Sequence, residues 1–220
     1  MEVSQIVLVV LVSYLIGSIP TAYLVGKMRG VNIFQVGSGN MGATNTARAL
    51  GKGWGFAVLV LDSIKGVIAI MLSRYIVDPL NNVFIADSSA RWTATVLAAI
   101  FVVVGHNWSV WVTLITGHLR GGKGAATAFG TLITMAPPHV IIGLSVIGGL
   151  IIARTRYVSL GALTMAAGGF IWMMVLAAQQ LIPLEYTLYL IAVGILIVVR
   201  FRENIDRLVR GTERRFGERA

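Results

Sequence analysis

Long apolar stretches recur along this chain with few charges inside them, and they leave it little choice of solvent. A helix that crosses bilayer hydrocarbon needs about 20 apolar residues, and the first run, 6–24, supplies them. Further runs cover 54–75, 94–104, 125–135, 139–153, 160–178 and 184–199. In lipid every backbone N–H and C=O must be satisfied within its own segment, so such runs are expected as helices. Only 12% of the residues are charged, about half the share of a soluble domain. The expected fold class is therefore all-α, a polytopic transmembrane bundle of seven helices over 1–199. A basic tail, 200–220, belongs to the same domain. Segment four, 125–135, is short. If it forms one re-entrant unit with segment five, the count falls to five with the same end orientation; seven is the expectation. The first run has no basic region before it and no small-residue cleavage site, so it is expected to stay as a helix.

Charge fixes the expected orientation. With alternate loops assigned to alternate sides, one face holds Lys27, Arg29, Arg48, Lys52, Arg120, Lys123, Arg154 and Arg156. With the seven arginines of the tail these make 15 of the 18 basic residues. The other face holds Arg74 and Arg91, and Lys65 falls inside segment two. The positive-inside rule places the N-terminus outside and the tail and basic loops in the cytoplasm. This placement also argues against nucleic acid as the reason for the net charge of +9. The absence of Cys excludes disulfides, thiolate metal sites and a cysteine nucleophile, and three scattered His make no metal cluster. No metal and no cofactor is expected.

One polar stretch stands out between the first two runs: Gly37-Ser38-Gly39-Asn40-Met41-Gly42-Ala43-Thr44-Asn45, followed by Arg48. Its glycines allow tight turns and a close backbone approach to a ligand. Ser38, Asn40, Thr44 and Asn45 add side-chain donors, and Arg48 adds a forked cation suited to phosphate. No acidic residue lies between Glu2 and Asp62 to repel an anion. The stretch reads as a phosphate cradle at a membrane surface. Gly37-x-Gly39-x-x-Gly42 matches a dinucleotide fingerprint as a string, but that mechanism needs a preceding strand, and here an apolar helix precedes.

Other polar motifs fall on the same face. Gly121-Gly122-Lys123-Gly124 offers bare backbone and an ammonium at a helix start, which favours anions; the plain alternative is a topology anchor. It resembles a Walker loop but has Gly124 where Ser or Thr would hold magnesium. His106, in Gly105-His106, is either a proton shuttle or a structural histidine. Asp62 and Lys65, three apart on one helix face, read as a structural ion pair before a catalytic one. Ser159, beside Arg154 and Arg156, is a helix cap or another phosphate donor. In the tail, apolar residues at 201, 205, 208 and 209 have helical spacing. That suits either an interfacial helix on anionic lipid or a lid that brings Asn204 to the site.

Taken in order, these motifs resemble the bacterial acyl-phosphate:glycerol-3-phosphate acyltransferases, a family of integral membrane enzymes. The resemblance covers essentially the whole chain. It runs through Gly17-Ser18-Ile19-Pro20, the 37–45 stretch with Arg48, Leu61-Asp62-Ser63-Ile64-Lys65-Gly66, Gly105-His106, Gly121-Gly122-Lys123-Gly124, Arg156-Tyr157-Val158-Ser159 and Arg202-Glu203-Asn204-Ile205. It implies seven helices with a cytoplasm-facing site in a bacterial inner membrane. It also implies transfer of a fatty acyl group from acyl phosphate to the sn-1 hydroxyl of glycerol 3-phosphate, giving lysophosphatidate and phosphate. Neither acyl-CoA nor acyl carrier protein is used directly, so the functional link is to the soluble enzyme that makes acyl phosphate. Carried over, Ser38 and its loop (Gly37, Gly39, Asn40, Gly42, Thr44, Asn45) hold a phosphate. Arg48, Lys123 with its glycines, Ser159 and Asn204 bind glycerol 3-phosphate. The proton of the attacking hydroxyl goes to a phosphate oxygen, with His106 as the protein alternative. The chain departs from the family pattern in having Phe201 where His is usual, Ser109 where Pro is common, and a longer connection from His106 to Gly121. A membrane transporter or exchanger of organic phosphates is the alternative from another class.

Overall fold

The computed structural model describes residues 1–85 and 87–217, and among these every regular element is an α-helix. A helical pair, α1 (Val3–Ser18) and α2 (Thr21–Met28), opens the chain. Pro20 stands between them as the α2 N-cap. It has no N–H to continue a helix, so the axis breaks there. A short α3 (Ala43–Leu50) then turns at Gly51 into α4 (Lys52–Val77). α5 (Ser89–Asn107) and the short α6 (Val110–Thr116) follow. The last four helices are α7 (Ala125–Met135), α8 (Pro138–Thr155), α9 (Val158–Ala178) and α10 (Tyr186–Val209). Among the described residues five segments are long and apolar enough to cross a membrane: Val3–Met28, Lys52–Val77, Ser89–Thr116, Pro138–Thr155 and Val158–Ala178.

Helices without a water-driven core between them gain by close packing, which small residues permit. α1 crosses α5 with Gly17 on the Val102 carbonyl and Gly105 on the Tyr14 carbonyl, where any Cβ would overlap backbone. α4 crosses α7 in the same way, Gly66 on the Thr127 carbonyl and Gly130 on that of Ser63. The outward faces keep large apolar residues exposed, among them Leu11 on α1, Phe56 on α4, Leu150 on α8 and Ile171 on α9. That is the pattern of a surface solvated by lipid rather than water.

Two expectations are adjusted and a third, the short run 125–135, is met. The third run is longer than 94–104, because Ser88 caps α5 (its Oγ accepts from Arg91 N, 3.4 Å) and buried Arg91 lies in its first turn. That charge hid the helix start in the sequence. The interfacial tail helix is not separate: α10 continues through 201–209, with Phe201 and Asn204 buried against the bundle. Finally, α7 has 11 residues, roughly 16 Å of helix, about half of the hydrocarbon thickness. It is packed inside the protein against α4. Arg74 and Arg91, at the end remote from the polar loops, are also buried. Arg74 donates to the carbonyls of Val83 and Phe84, and Arg91 to those of Asn82 and Ile85. They clamp the α4–α5 connection, and Arg74 also donates to Thr95 Oγ1 on α5 and to the Thr134 carbonyl on α7.

Candidate active site

Four pieces of chain converge at one end of the bundle: the glycine stretch with α3, the 117–124 loop, the α8–α9 corner, and the end of α10 with the segment after it. Between them lies a cavity of about 890 Å³. Every residue expected to hold substrate or take its proton lines it except Gly121 and Gly122. Gly121 lines an adjoining recess of about 380 Å³ with Ser38, Gly39 and Arg120. The cavity is polar at the loops and runs into an apolar arm between α7, α8, α9 and α10, where Leu132, Leu144, Phe170 and Leu190 face it.

The glycine stretch is a self-supporting loop. Gly37 and Gly39 take φ of 60° and 64°, the left-handed region that glycine enters without penalty. Asn45, 2% exposed, is its brace. The Asn45 amide oxygen accepts from Ser38 N (2.9 Å), and its NH₂ donates to the Ile33 carbonyl (3.0 Å). Gly39 N donates to Val36 O, Gly42 N to Asn40 O, and Asn40 N to Ser38 Oγ. Within the stretch the N–H groups of Ser38, Gly39, Asn40 and Gly42 close the loop's own turns, and Asn45 braces it. The amides of Ala43, Thr44 and Asn45 lie in the first turn of α3 and have no carbonyl a turn earlier in the helix. Gly42 is the α3 N-cap and Gly124 the α7 N-cap, and both line the cavity. Two helix N-termini, each favourable to anions, thus border one space.

Gly121 and Gly122 are small for packing. Gly122 N donates to the His106 carbonyl (2.9 Å). A methyl at Gly122 would overlap the His106 ring, and one at Gly121 would meet the His106 and Asn107 carbonyls. Arg200 takes the Gly122 carbonyl with Nη2 (2.7 Å) and Nε (3.1 Å) and stacks over Trp108 at 5.4 Å. The loop is thus sewn to α5 and α10, and Lys123 is aimed from it. The Lys123 ammonium donates to Asn204 Oδ1 and sits 5.3 Å over the ring of Phe201. The position where the family pattern has His therefore carries an aromatic face under the cation, worth about 0.5–1 kcal/mol or more. Burial, and then the charge of Arg207, push the Lys123 ammonium down to about 8.

His106 is 3% exposed, with Nδ1 3.8 Å from Asp62 Oδ1. Asp62 is paired with Lys65 (2.6 Å), which also donates to the Ile19 carbonyl at the α1–α2 break (2.6 Å). Ser109 accounts for another departure. Its N–H donates to the Arg120 carbonyl (3.0 Å), which proline could not do, and its hydroxyl caps α6 and reaches the Ser18 carbonyl. α6 lies within this connection between His106 and Gly121. Sequence reasoning missed Arg200, read only as a tail anchor, and Glu213. The signal for Glu213 was an acid set alone among Arg207, Arg210, Arg214 and Arg215.

Fold and site define an integral membrane protein that gathers cations and two helix starts around a cavity continuous with an apolar arm. The chain belongs to the glycerol-3-phosphate acyltransferase family: the family model of that description matches residues 7–211. It is 39% identical over 218 residues to the glycerol-3-phosphate acyltransferase of Synechococcus elongatus, covering 98% of this chain and 96% of the relative. It is 41% identical over 214 residues to that of Thermus thermophilus, covering 96% and 94%. Among solved structures it is similar to PlsY (YgiH), an integral membrane glycerol 3-phosphate acyltransferase, in the glycerol 3-phosphate form (TM-score 0.80, 36% identity, 96% of each chain). The lysophosphatidic acid form of the same protein matches with a TM-score of 0.78 and 35% identity, over 96% of this chain and 95% of that one. The protein is accordingly an acyltransferase of phospholipid synthesis with several membrane-spanning helices.

Proposed function

We propose that this acyltransferase takes a fatty acyl group from acyl phosphate and places it on the sn-1 hydroxyl of glycerol 3-phosphate, releasing lysophosphatidate and phosphate. The observation that carries this reading is the shape of the cavity: one polar end holding Arg48, Lys123 and two helix N-termini, joined to one apolar arm. Two phosphates fit the first and a hydrocarbon chain fits the second. Arg48, Lys123, Ser159 and Asn204 hold glycerol 3-phosphate, while Ser38 and the start of α3 hold the phosphoryl group of the donor. The bundle crosses a bacterial inner membrane seven times, counting α1–α2, α4, α5–α6, α7 together with the largely buried 121–124 loop that leads into it, α8, α9 and α10, with this end in the cytoplasm.

Acyl phosphate is already activated, so the protein's task is placement and charge. Holding the hydroxyl oxygen about 3–3.5 Å from the acyl carbonyl makes the step effectively unimolecular. The oxygen attacks the carbonyl carbon, the bond from that carbon to the phosphate oxygen breaks, and the departing phosphate takes the hydroxyl proton. Lys123 and the α3 amides stabilise charge growing on the leaving group. His106, packed against Gly122 and over Asp62, supports the loop from beneath.

Purified protein mixed with acyl phosphate and glycerol 3-phosphate should release phosphate and lysophosphatidate in equal amounts. Acyl-CoA in place of acyl phosphate should give neither, and the opposite result would overturn the donor assignment. A pH dependence follows from Lys123. Its proton is retained below about 8 and lost above it, whereas the substrate phosphate is already a dianion above about pH 6. The kcat/KM for glycerol 3-phosphate, which reports the free enzyme, should therefore hold through pH 7 and decline above about 8. A profile flat to pH 10 would show that the ammonium has no part in binding.

A further inference from the structure

We infer that Glu213, in the segment after α10, is a positioning residue of the substrate site: its carboxylate decides which atoms of Ser159 and Asn204 are offered to the substrate. The inference rests on the acyl-transfer reading above. One carboxylate oxygen, Oε1, accepts from Ser159 Oγ (2.9 Å) and from Asn204 Nδ2 (2.7 Å), while Oε2 accepts from Arg207 Nε (2.8 Å).

An ionised carboxylate has no hydrogen to give, so both neighbours must donate to it. Ser159 has one hydroxyl hydrogen, and spending it on Glu213 leaves only oxygen lone pairs for the cavity. A phosphate dianion is also acceptor-only, so Ser159 cannot serve it in this arrangement. It is suited instead to receive a hydroxyl of the glycerol backbone. Asn204 is fixed from both ends. Its NH₂ faces the acceptor-only Glu213 and its carbonyl faces the donor-only ammonium of Lys123. Arg207, Glu213, Asn204 and Lys123 thus form one line of alternating donors and acceptors, with Ser159 as a branch.

The placement of Glu213 is built rather than incidental. Its side chain is 6% exposed although it lies in a strongly basic tail. The segment that carries it is pinned on both sides: Thr212 N donates to the Arg207 carbonyl (2.8 Å), and Phe216 N to that of Arg156 (2.7 Å). Arg48 Nη2 donates to the Arg214 carbonyl (3.3 Å), and Arg156 Nη2 to that of Phe216 (2.8 Å). Burial alone would raise the carboxyl, but the bonds from Arg207, Asn204 and Ser159 outweigh it and hold it below the usual carboxylate range. It is therefore charged wherever the enzyme works.

Glu213→Gln tests this in the full chain. Gln has the same shape, but whichever way its amide turns, an NH₂ meets either Arg207 or the Ser159–Asn204 pair. The KM for glycerol 3-phosphate should rise about tenfold, the loss of one hydrogen bond to a charged group. The kcat and the KM for acyl phosphate should stay within about threefold. Combined with Ser159→Ala the effects should be less than additive, since both act through one hydroxyl. A fall in the KM for glycerol 3-phosphate would mean that the carboxylate merely fills an empty seat and is displaced, which overturns the inference. So would full additivity, or an equal loss for both substrates with a lower Tm. If Glu213→Gln does not accumulate, Glu213→Asp, which keeps the acceptor, is judged by the same split between the two KM values. Calorimetric binding of glycerol 3-phosphate to wild type and variants separates the two readings. Wild-type protein inert toward acyl phosphate but binding glycerol 3-phosphate would sink the donor assignment and leave this inference to the binding data.

Discussion

Lys123→Ala is expected to lower kcat/KM for glycerol 3-phosphate by about 10²–10³-fold, the cost of removing one preorganised donor from charge that develops in a dry site. The effect should be large because the ammonium is held in place before substrate arrives. Asn204 accepts from it on one side and the Phe201 ring lies 5.3 Å beneath it, so little ordering remains to be done on binding. Most of the loss should appear as a fall in kcat, with a smaller rise in the KM for glycerol 3-phosphate. The KM for acyl phosphate should change less. Lys123→Arg keeps the charge but replaces a compact ammonium by a planar fork, and should recover only part of the activity. The decline above pH 8 should vanish in that variant, because a guanidinium does not titrate there. Phosphate-release kinetics on detergent-purified protein measure all of these. Lys123→Ala within threefold of wild type would remove the central anion contact from the proposed mechanism.

The membrane character of the fold was legible in the apolar runs, since lipid imposes a length and a helix on each. What the runs hid came from charges that bury themselves. Arg91 shortened the apparent third run, though its guanidinium is satisfied by carbonyls of the preceding connection. Arg200 and Arg202 broke the apolar pattern of the last run, yet α10 continues to Val209 with Phe201 and Asn204 on its inner face. Periodicity registers polarity, and it cannot know that a cation has found carbonyl partners.

In the site, the residues that converge were readable from their chemistry, but their offices were not. Asn45 had the right type for a phosphate donor, and only the fold shows that its amide braces Ser38 and Ile33. Gly39 and Gly42 looked like bare backbone, while their N–H groups close the turns 36–39 and 40–42. Glu213 could be suspected only as a lone acid among arginines. Its partners Ser159 and Asn204 lie 54 and 9 residues away, a pairing that no local pattern encodes.

Gly122→Ala is expected to cost about 10²-fold in kcat/KM, the order of loss for displacing a reacting geometry by about 1 Å. The cost is steric, since Gly122 lies outside the left-handed region in which glycine has a conformational advantage. The added methyl would overlap the His106 ring and lie 2.6 Å from the Met41 carbonyl. His106 cannot retreat: it is buried, with the Asp62–Lys65 pair on its far side. The loop must therefore lift, and Lys123 is the next residue along it. The same variant distinguishes the two sequence readings of His106. If the ring is a packing element, His106→Ala alone should cost less than about tenfold, below the usual range for a lost general base. Added to Gly122→Ala it should then restore part of the activity by making room for the methyl. If the ring accepts the substrate proton, the double variant should be worse than either single one. Kinetics of the three proteins under saturating acyl phosphate, with matched Tm values in detergent, decide between them. A Gly122→Ala enzyme with wild-type kinetics would show that the loop does not set the position of Lys123.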